Sequence, residues 1–120
     1  MDRWNKDIPT YIVEGPIDSM FLPNCLAVAG ADLHNVKFNK KLCTLIYDNE
    51  PRNLQIVKRT WSALHMGWEV VVWPKWQSAK DINEMILGGT SVDKIMEIIN
   101  KNTYSGQRGE WEVRNWKKVW

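Results

Sequence analysis

Two short acidic clusters in this chain stand directly after apolar, β-prone runs. Glu14-Gly15 follows Thr-Tyr-Ile-Val at 10–13, and Asp48-Asn49-Glu50 follows Leu-Cys-Thr-Leu-Ile-Tyr at 42–47. In an open parallel sheet, ligands bind beyond the carboxyl ends of the strands. If the two runs are neighbouring strands, Glu14, Asp48 and Glu50 converge on one edge, with Arg52 the only base beside them in sequence. Carboxylates so placed repel and raise one another's pKa unless a divalent cation neutralises them. Magnesium suits the arrangement, because it takes hard oxygen ligands and keeps several waters. Asp81 is a further candidate ligand, although Asp81-Ile82-Asn83-Glu84 also has the acceptor-x-x-Glu pattern of a helix cap. A single acid at a strand end more often caps a helix or faces water. An acid-Gly after one strand together with an Asp-x-Glu after another favours a shared ion.

The elements that would position these acids can be read in order. The run 10–13 is a strand, with Pro16 opening a short helix through Leu22 and Asp18 suited to its dipole. Cys25 to Ala29 is a second apolar strand closed by Gly30, and residues 31–41 are polar and basic, a loop with room for one helical turn. The run 42–47 is the third strand, stopped by Pro51. Leu54, Val57, Trp61 and Leu64 fall at helical spacing, so 52–66 is an amphipathic helix ended by Gly67. Trp68 to Trp73 is the fourth strand. A short helix follows from Asp81 to Gly88-Gly89, and another begins at Thr90 with Val92, Ile95, Met96 and Ile99 on one face. Continuous apolar runs mark strands buried on both faces, as in a parallel sheet covered by helices. The expected architecture is three-layer α/β/α with a central, mostly parallel four-stranded sheet.

Composition fits one globular domain: 120 residues, 44% hydrophobic and 25% charged. No apolar run reaches the roughly 18–20 residues of a membrane span. The polar start, Met1 to Asp7, has no signal core, so a cytoplasmic location is expected, the host cytoplasm if a phage encodes the chain. Cys25 and Cys43 lie in apolar stretches and read as small buried hydrophobes. Two Cys and two His without paired spacing leave no structural zinc site. His34 and His65 have no partners in sequence, and neither is a catalytic candidate. Segment 101–120 carries five basic and two acidic side chains. Arg108, Arg114, Lys117 and Lys118 there are interleaved with Trp111, Trp116 and Trp120, a composition that suits single-stranded nucleic acid. Packing is the favoured role for these tryptophans, as an edge hairpin or against a neighbouring segment. Trp61, Trp68 and Trp73 are expected to fill the core. The chain thus divides into an extension at 1–9, a domain at 10–100 and a basic, Trp-rich tail at 101–120.

Tyr11-Ile12-Val13-Glu14-Gly15-Pro16-Ile17-Asp18-Ser19 resembles the first motif of Toprim domains, a strand ending in Glu-Gly before a helix carrying Asp. Leu45-Ile46-Tyr47-Asp48-Asn49-Glu50 resembles the second, a strand ending in Asp-x-Asp, and Ala27-Val28-Ala29-Gly30 resembles the Gly-closed second strand. Lys80-Asp81-Ile82-Asn83-Glu84 is similar to the Lys-Asp-x-Asn-Glu segment of phage primases and primase–helicases. The resemblance covers about residues 10–89 and is nearest to the Toprim domain of phage and bacterial-type DNA primases.

That resemblance implies magnesium, replaceable by manganese, held by Asp48 and Glu50 with Asp81 a weaker addition, and Glu14 as general base or metal ligand. It implies nucleotidyl transfer, RNA primers being made on a single-stranded DNA template from nucleoside triphosphates. The implied partners are a replicative helicase and the zinc-binding and polymerase segments that such primases carry, without which the domain is expected to be incomplete. Lys37, Lys40, Lys41, Arg52 and Lys80 are the candidates for holding nucleic acid or nucleotide. Where the family's second acid is normally Asp, Glu50 adds a methylene, so the ion is expected to shift, bind through water or bind more weakly. Two other readings share the motifs: a Toprim nuclease or topoisomerase fragment, and a non-catalytic nucleic-acid-binding or scaffold domain.

Overall fold

The computed structural model describes residues 8–27 and 40–119. Five strands form one sheet: β1 (Thr10–Val13), β2 (Cys25–Ala27), β3 (Cys43–Ile46), β4 (Glu69–Val71) and β5 (Thr103–Tyr104). Among the described residues five α-helices accompany them, α1 (Pro16–Ser19), α2 (Leu54–His65), α3 (Ile82–Leu87), α4 (Val92–Lys101) and α5 (Gly106–Trp116), with one 3-10 turn at Lys40–Leu42. The strand order is β2-β1-β3-β4-β5, parallel except for β5. In register, Ile12 of β1 lies opposite Leu26 on one side and Leu45 on the other.

Adjacent residues of a strand point to opposite faces, yet both members of the pairs Ile12–Val13, Leu45–Ile46 and Val70–Val71 are at most 4% exposed. Both faces are therefore covered, as the unbroken apolar runs require. The connections β1→β2 and β3→β4 run in opposite directions across the sheet. Right-handed crossovers accordingly put α1 and α2 on opposite faces. α5 packs on α2, while α3 contacts both α1 and α4. The result is the three-layer α/β arrangement expected of a Toprim-like fold. No helix among the described residues is long and apolar enough to cross a membrane.

The structure departs from the sequence expectation mainly after residue 100. The sheet has five strands rather than four, because Thr103 and Tyr104 pair antiparallel with Val71 and Val70. Two residues leave no apolar run to detect. Gly106 to Trp116 is a helix rather than an edge hairpin, and it places Val113 and Trp116 in the core at 0% and 6% exposure. Elsewhere the elements are shorter than expected, although their flanks are buried. Trp68 and Trp73 lie just outside β4 and still fill the core, and Trp61 packs against it half-buried. Residues 28–39, with the expected end of the second strand and the basic loop, fall outside the described region, as do residues 1–7.

Local chemistry accounts for the helix ends. Asn53 caps α2, its Oδ1 accepting from the backbone N–H groups of Gln55 and Ile56. The helix buries Ile56, Val57, Thr60, Ala63 and Leu64. Gly67, at φ 91°, makes the left-handed turn into β4. Both cysteines are free and buried, and burial pushes the Cys25 thiol up to about 12.

The α2–α5 seam is held by apolar contact, by the approach of His65 Nδ1 to Glu110 Oε1 at 3.1 Å, and by Arg114 lying over the Trp61 ring. At Gly109 in this seam an added Cβ would overlap the buried Leu64 side chain. Gly109→Ala should therefore destabilise the protein by about 1–2 kcal/mol in urea unfolding, overpacking outweighing the gain in helix propensity of about 1 kcal/mol. An unchanged or increased stability would show that Leu64 repacks without strain.

Candidate metal centre

Strand order reverses between β1 and β3, since the chain steps outward to β2 from one and to β4 from the other. Such a switch point leaves a crevice at the carboxyl ends of the two strands. Glu14 directly follows β1, and Asp48 lies two residues after β3. The crevice floor is completed from the helical layer containing α1 and α3. Asp18, on α1, is 7% exposed, and Asp81 is the N-cap of α3.

Asp18, Asp48 and Asp81 can each offer a carboxylate oxygen within 4.8 Å of the other two. Two of the three are fixed by backbone donors. Asp18 Oδ1 accepts from the Asn83 N–H at 2.9 Å, and Asp81 Oδ1 accepts from the Glu84 N–H at 2.8 Å. Each bond occupies one oxygen and leaves Oδ2 available. The Asp18 bond also ties α1 to the first turn of α3. The cap on α3 is a variant of the expected box: Glu84 reaches back to the Lys80 N–H rather than that of Asp81.

Asn49 sets the position of Asp81 relative to Asp48. Its backbone N–H donates to Lys80 O at 2.6 Å. Its side-chain Nδ2 donates to Gln77 O and Ala79 O, at 2.9 and 3.0 Å. The loop before α3 is thereby strapped to the residue next to Asp48. Asn49 Oδ1 accepts from the indole N–H of Trp116 at 2.9 Å, which connects α5 to the same point. Trp73, donating to Tyr47 O, anchors the residue on the other side of Asp48.

The electrostatics of the triad are those of crowded, partly buried acids. The Asp48 carboxyl is pushed up to about 6, chiefly by burial and then by the charges of Asp81, Asp18, Glu14 and Glu50 in that order. Asp18 is also raised, chiefly by burial and secondarily by Asp81, while its bond from Asn83 and the charge of Lys80 act the other way. The donor set fits a small divalent cation. Ligand oxygens about 2.1 Å from magnesium stand about 3–4 Å apart on an octahedron, within reach of the separation observed.

The residues singled out from sequence fall into three places. Glu14, Asp48 and Asp81 do lie at one sheet edge, joined there by Asp18. Glu14 is turned toward α2, where Arg59 Nη1 donates to its Oε2 at 2.7 Å. Glu50 is half-buried within the electrostatic reach of Asp48 but is not one of the three grouped acids; with Arg52 it borders a separate shallow depression. Lys80 is exposed beside the triad. Lys40 and Lys41 are not brought to this edge, because they precede β3 and so lie at the amino ends of the strands. The Lys40 ammonium donates to Met66 O at 2.7 Å and sits over the Trp68 ring. Lys37 lies outside the described residues.

Sequence reasoning assigned Asp18 to the helix dipole and did not connect Arg59 with the site. Only the Toprim motif, with its helix-borne Asp, signalled Asp18. For Arg59 the signal was its helical spacing, one and a half turns into α2 on the side facing β1.

Over 119 residues the chain is 35% identical to the DNA primase of Enterobacteria phage T4, a match covering 95% of this chain and 34% of that protein. The similarity relates this chain to a part of that primase. The chain spans about a third of the length of its relative, and no family model matches it.

A carboxyl with a raised pKa holds its proton more tightly in the folded than in the unfolded state. The stability it contributes is full below its ordinary value of 3.8 and is lost as pH rises to about 6. The metal-free protein should therefore melt at a lower temperature at pH 7 than at pH 4.5 in so far as these acids are concerned. Asp48→Asn should flatten that slope and raise the metal-free melting temperature at pH 7. Thermal melts in EDTA of both proteins test this; an identical pH slope would remove the assigned repulsion.

Proposed function

We propose that this chain is the Toprim-type catalytic domain of a DNA primase, using Asp18, Asp48 and Asp81 to hold magnesium for nucleotidyl transfer. The observation that carries the proposal is the grouping of three aspartates, two oriented by backbone N–H groups, at the β1/β3 switch point of a primase-related chain. The bound ion would supply charge neutralisation for a nucleoside triphosphate and its leaving pyrophosphate. Glu50 would stand at the rim and contact the ion's water shell, its longer side chain compensating for its greater distance.

In this reading Glu14 is the general base. Arg59 engages its Oε2 and leaves Oε1 to take the proton of the attacking 3′-hydroxyl. The hydroxyl oxygen bonds to the α-phosphorus as the bond to pyrophosphate breaks. Arg59 orients the base rather than touching the substrate. The preformed bonds around Asp18, Asp81 and Asn49 mean that little reorganisation accompanies the chemistry. A single-stranded DNA template, with nucleoside triphosphates as substrates, follows from the same reading. So do additional primase segments and a helicase as partners, with Arg52 and Lys80 as the candidate cations for the strand or nucleotide.

Manganese titration followed by tryptophan fluorescence provides the binding test. Asp48→Asn and Asp18→Asn should each weaken manganese at least about tenfold, and wild-type affinity in both would leave only capping roles for these acids. In primer synthesis on single-stranded DNA, with whatever further segments the reaction requires, Glu14→Gln should lower turnover by about a hundredfold or more while manganese affinity stays near wild type. Full turnover in that variant would exclude Glu14 as the base. A non-catalytic scaffold, by contrast, would bind DNA without any response to manganese.

A further inference from the structure

Asn49 also lines a cleft of about 400 Å³, bordered by none of the three aspartates, between the β4–α3 loop and the end of α5. Its back wall is the Asn49–Trp116 hydrogen-bonded pair. Pro51 and Pro74 stiffen its sides, and the Lys118 N–H donates to Pro51 O at 2.8 Å to close one end. The volume is in the range of sites that enclose small polar ligands.

Apart from the side-chain oxygen of Asn115, whose Nδ2 is given to Trp111 O, the side-chain hydrogen-bonding groups left over in this cleft can donate. Lys75 and Lys118 line it, and neither ammonium pairs with a carboxylate among the described residues. The Gln77 Oε1 is occupied by the Ala79 N–H, which turns the remaining polarity of that side chain, its Nε2, into a donor. The Ser78 hydroxyl adds another donor to the lining. Asn49 contributes nothing further, since its Nδ2 and Oδ1 are already engaged. Two unpaired cations, an amide N–H and a hydroxyl around one concavity match the oxygens of a phosphate.

We propose that this cleft binds a phosphate of a nucleic acid strand or nucleotide, through Lys75, Lys118, Gln77 and Ser78. The inference rests on the nucleic-acid part of the reading above and not on the metal. Occupation of the cleft would put a phosphate against the same asparagine that positions Asp48 and Asp81. It would also give the α5 end of the chain, where charge is basic, a direct share in holding the ligand.

The test uses fluorescence anisotropy of the whole chain with two probes, a labelled ten-nucleotide oligothymidylate and a fluorescent ATP analogue, in EDTA. The Lys75→Gln/Lys118→Gln double variant should weaken one probe by about tenfold or more at low salt. If that probe is the oligonucleotide, the slope of log affinity against log salt should fall by about 1.4, two single-strand phosphate contacts being lost; the cleft then takes the strand. Loss confined to the ATP analogue assigns the cleft to a nucleotide. Lys75→Arg/Lys118→Arg should restore binding, which excludes a folding defect as the cause. Both probes are read in EDTA, so failure of the metal reading would register in the manganese titration and not here. The proposal is overturned if the wild type binds neither probe, or if the Gln double variant keeps wild-type affinity and salt slope for both.

Discussion

Repulsion among Asp18, Asp48 and Asp81 is the constraint around which this domain is arranged. Three carboxylates that can approach within 4.8 Å, one of them 7% exposed, oppose folding unless they are protonated or share a cation. The fold holds them together from separate parts of the chain. Strand β3 delivers Asp48, α1 carries Asp18, and the N-terminus of α3 presents Asp81. Backbone N–H groups stabilise two of the charges individually but neutralise none. Stability is thereby conceded at one edge of the sheet, in the manner of sites shaped by function rather than by packing.

The concession is supported by a well-filled interior. Parallel strands buried on both faces and the α2–α5 seam supply apolar contact, while the polar bonds at the crevice are nearly all between elements distant in sequence. Asn83 N–H to Asp18 spans 65 positions and Trp116 to Asn49 spans 67. Such bonds contribute little net free energy each. Their effect is geometric, because they specify the angle at which the loop before α3 meets the end of β3.

Much of this was readable in the residues. Apolar runs at β1, β3 and β4 report strands buried on both faces, and acids placed after the first two mark the acidic edge. Asp81 could be read as a cap because capping is a local event with a local pattern. Asp18 could not be read as a site residue from spacing alone, since an acid in the first turn of a helix is fully explained by the dipole. Its partnership depends on α3, 65 residues away. Arg59 was hidden for the same reason. Lys40 looked like a free cation in a basic stretch, but the strand direction sends it to the opposite edge, where a carbonyl and an indole face absorb it. β5 and α5 were obscured by brevity and by charge: two residues make no periodic signal, and a helix with Arg108, Glu110, Glu112 and Arg114 along it shows its apolar stripe only as Gly109, Val113 and Trp116.

The indole bond from Trp116 to Asn49 makes the last helix a thermodynamic neighbour of the acidic crevice. Whatever free energy α5 contributes to the alignment of Asp81 with Asp48, an ion seated between those acids returns in equal measure as resistance to undocking of α5. Tension or a contact applied at the carboxyl end of this chain would thus be sensed at the crevice without any movement of the sheet itself.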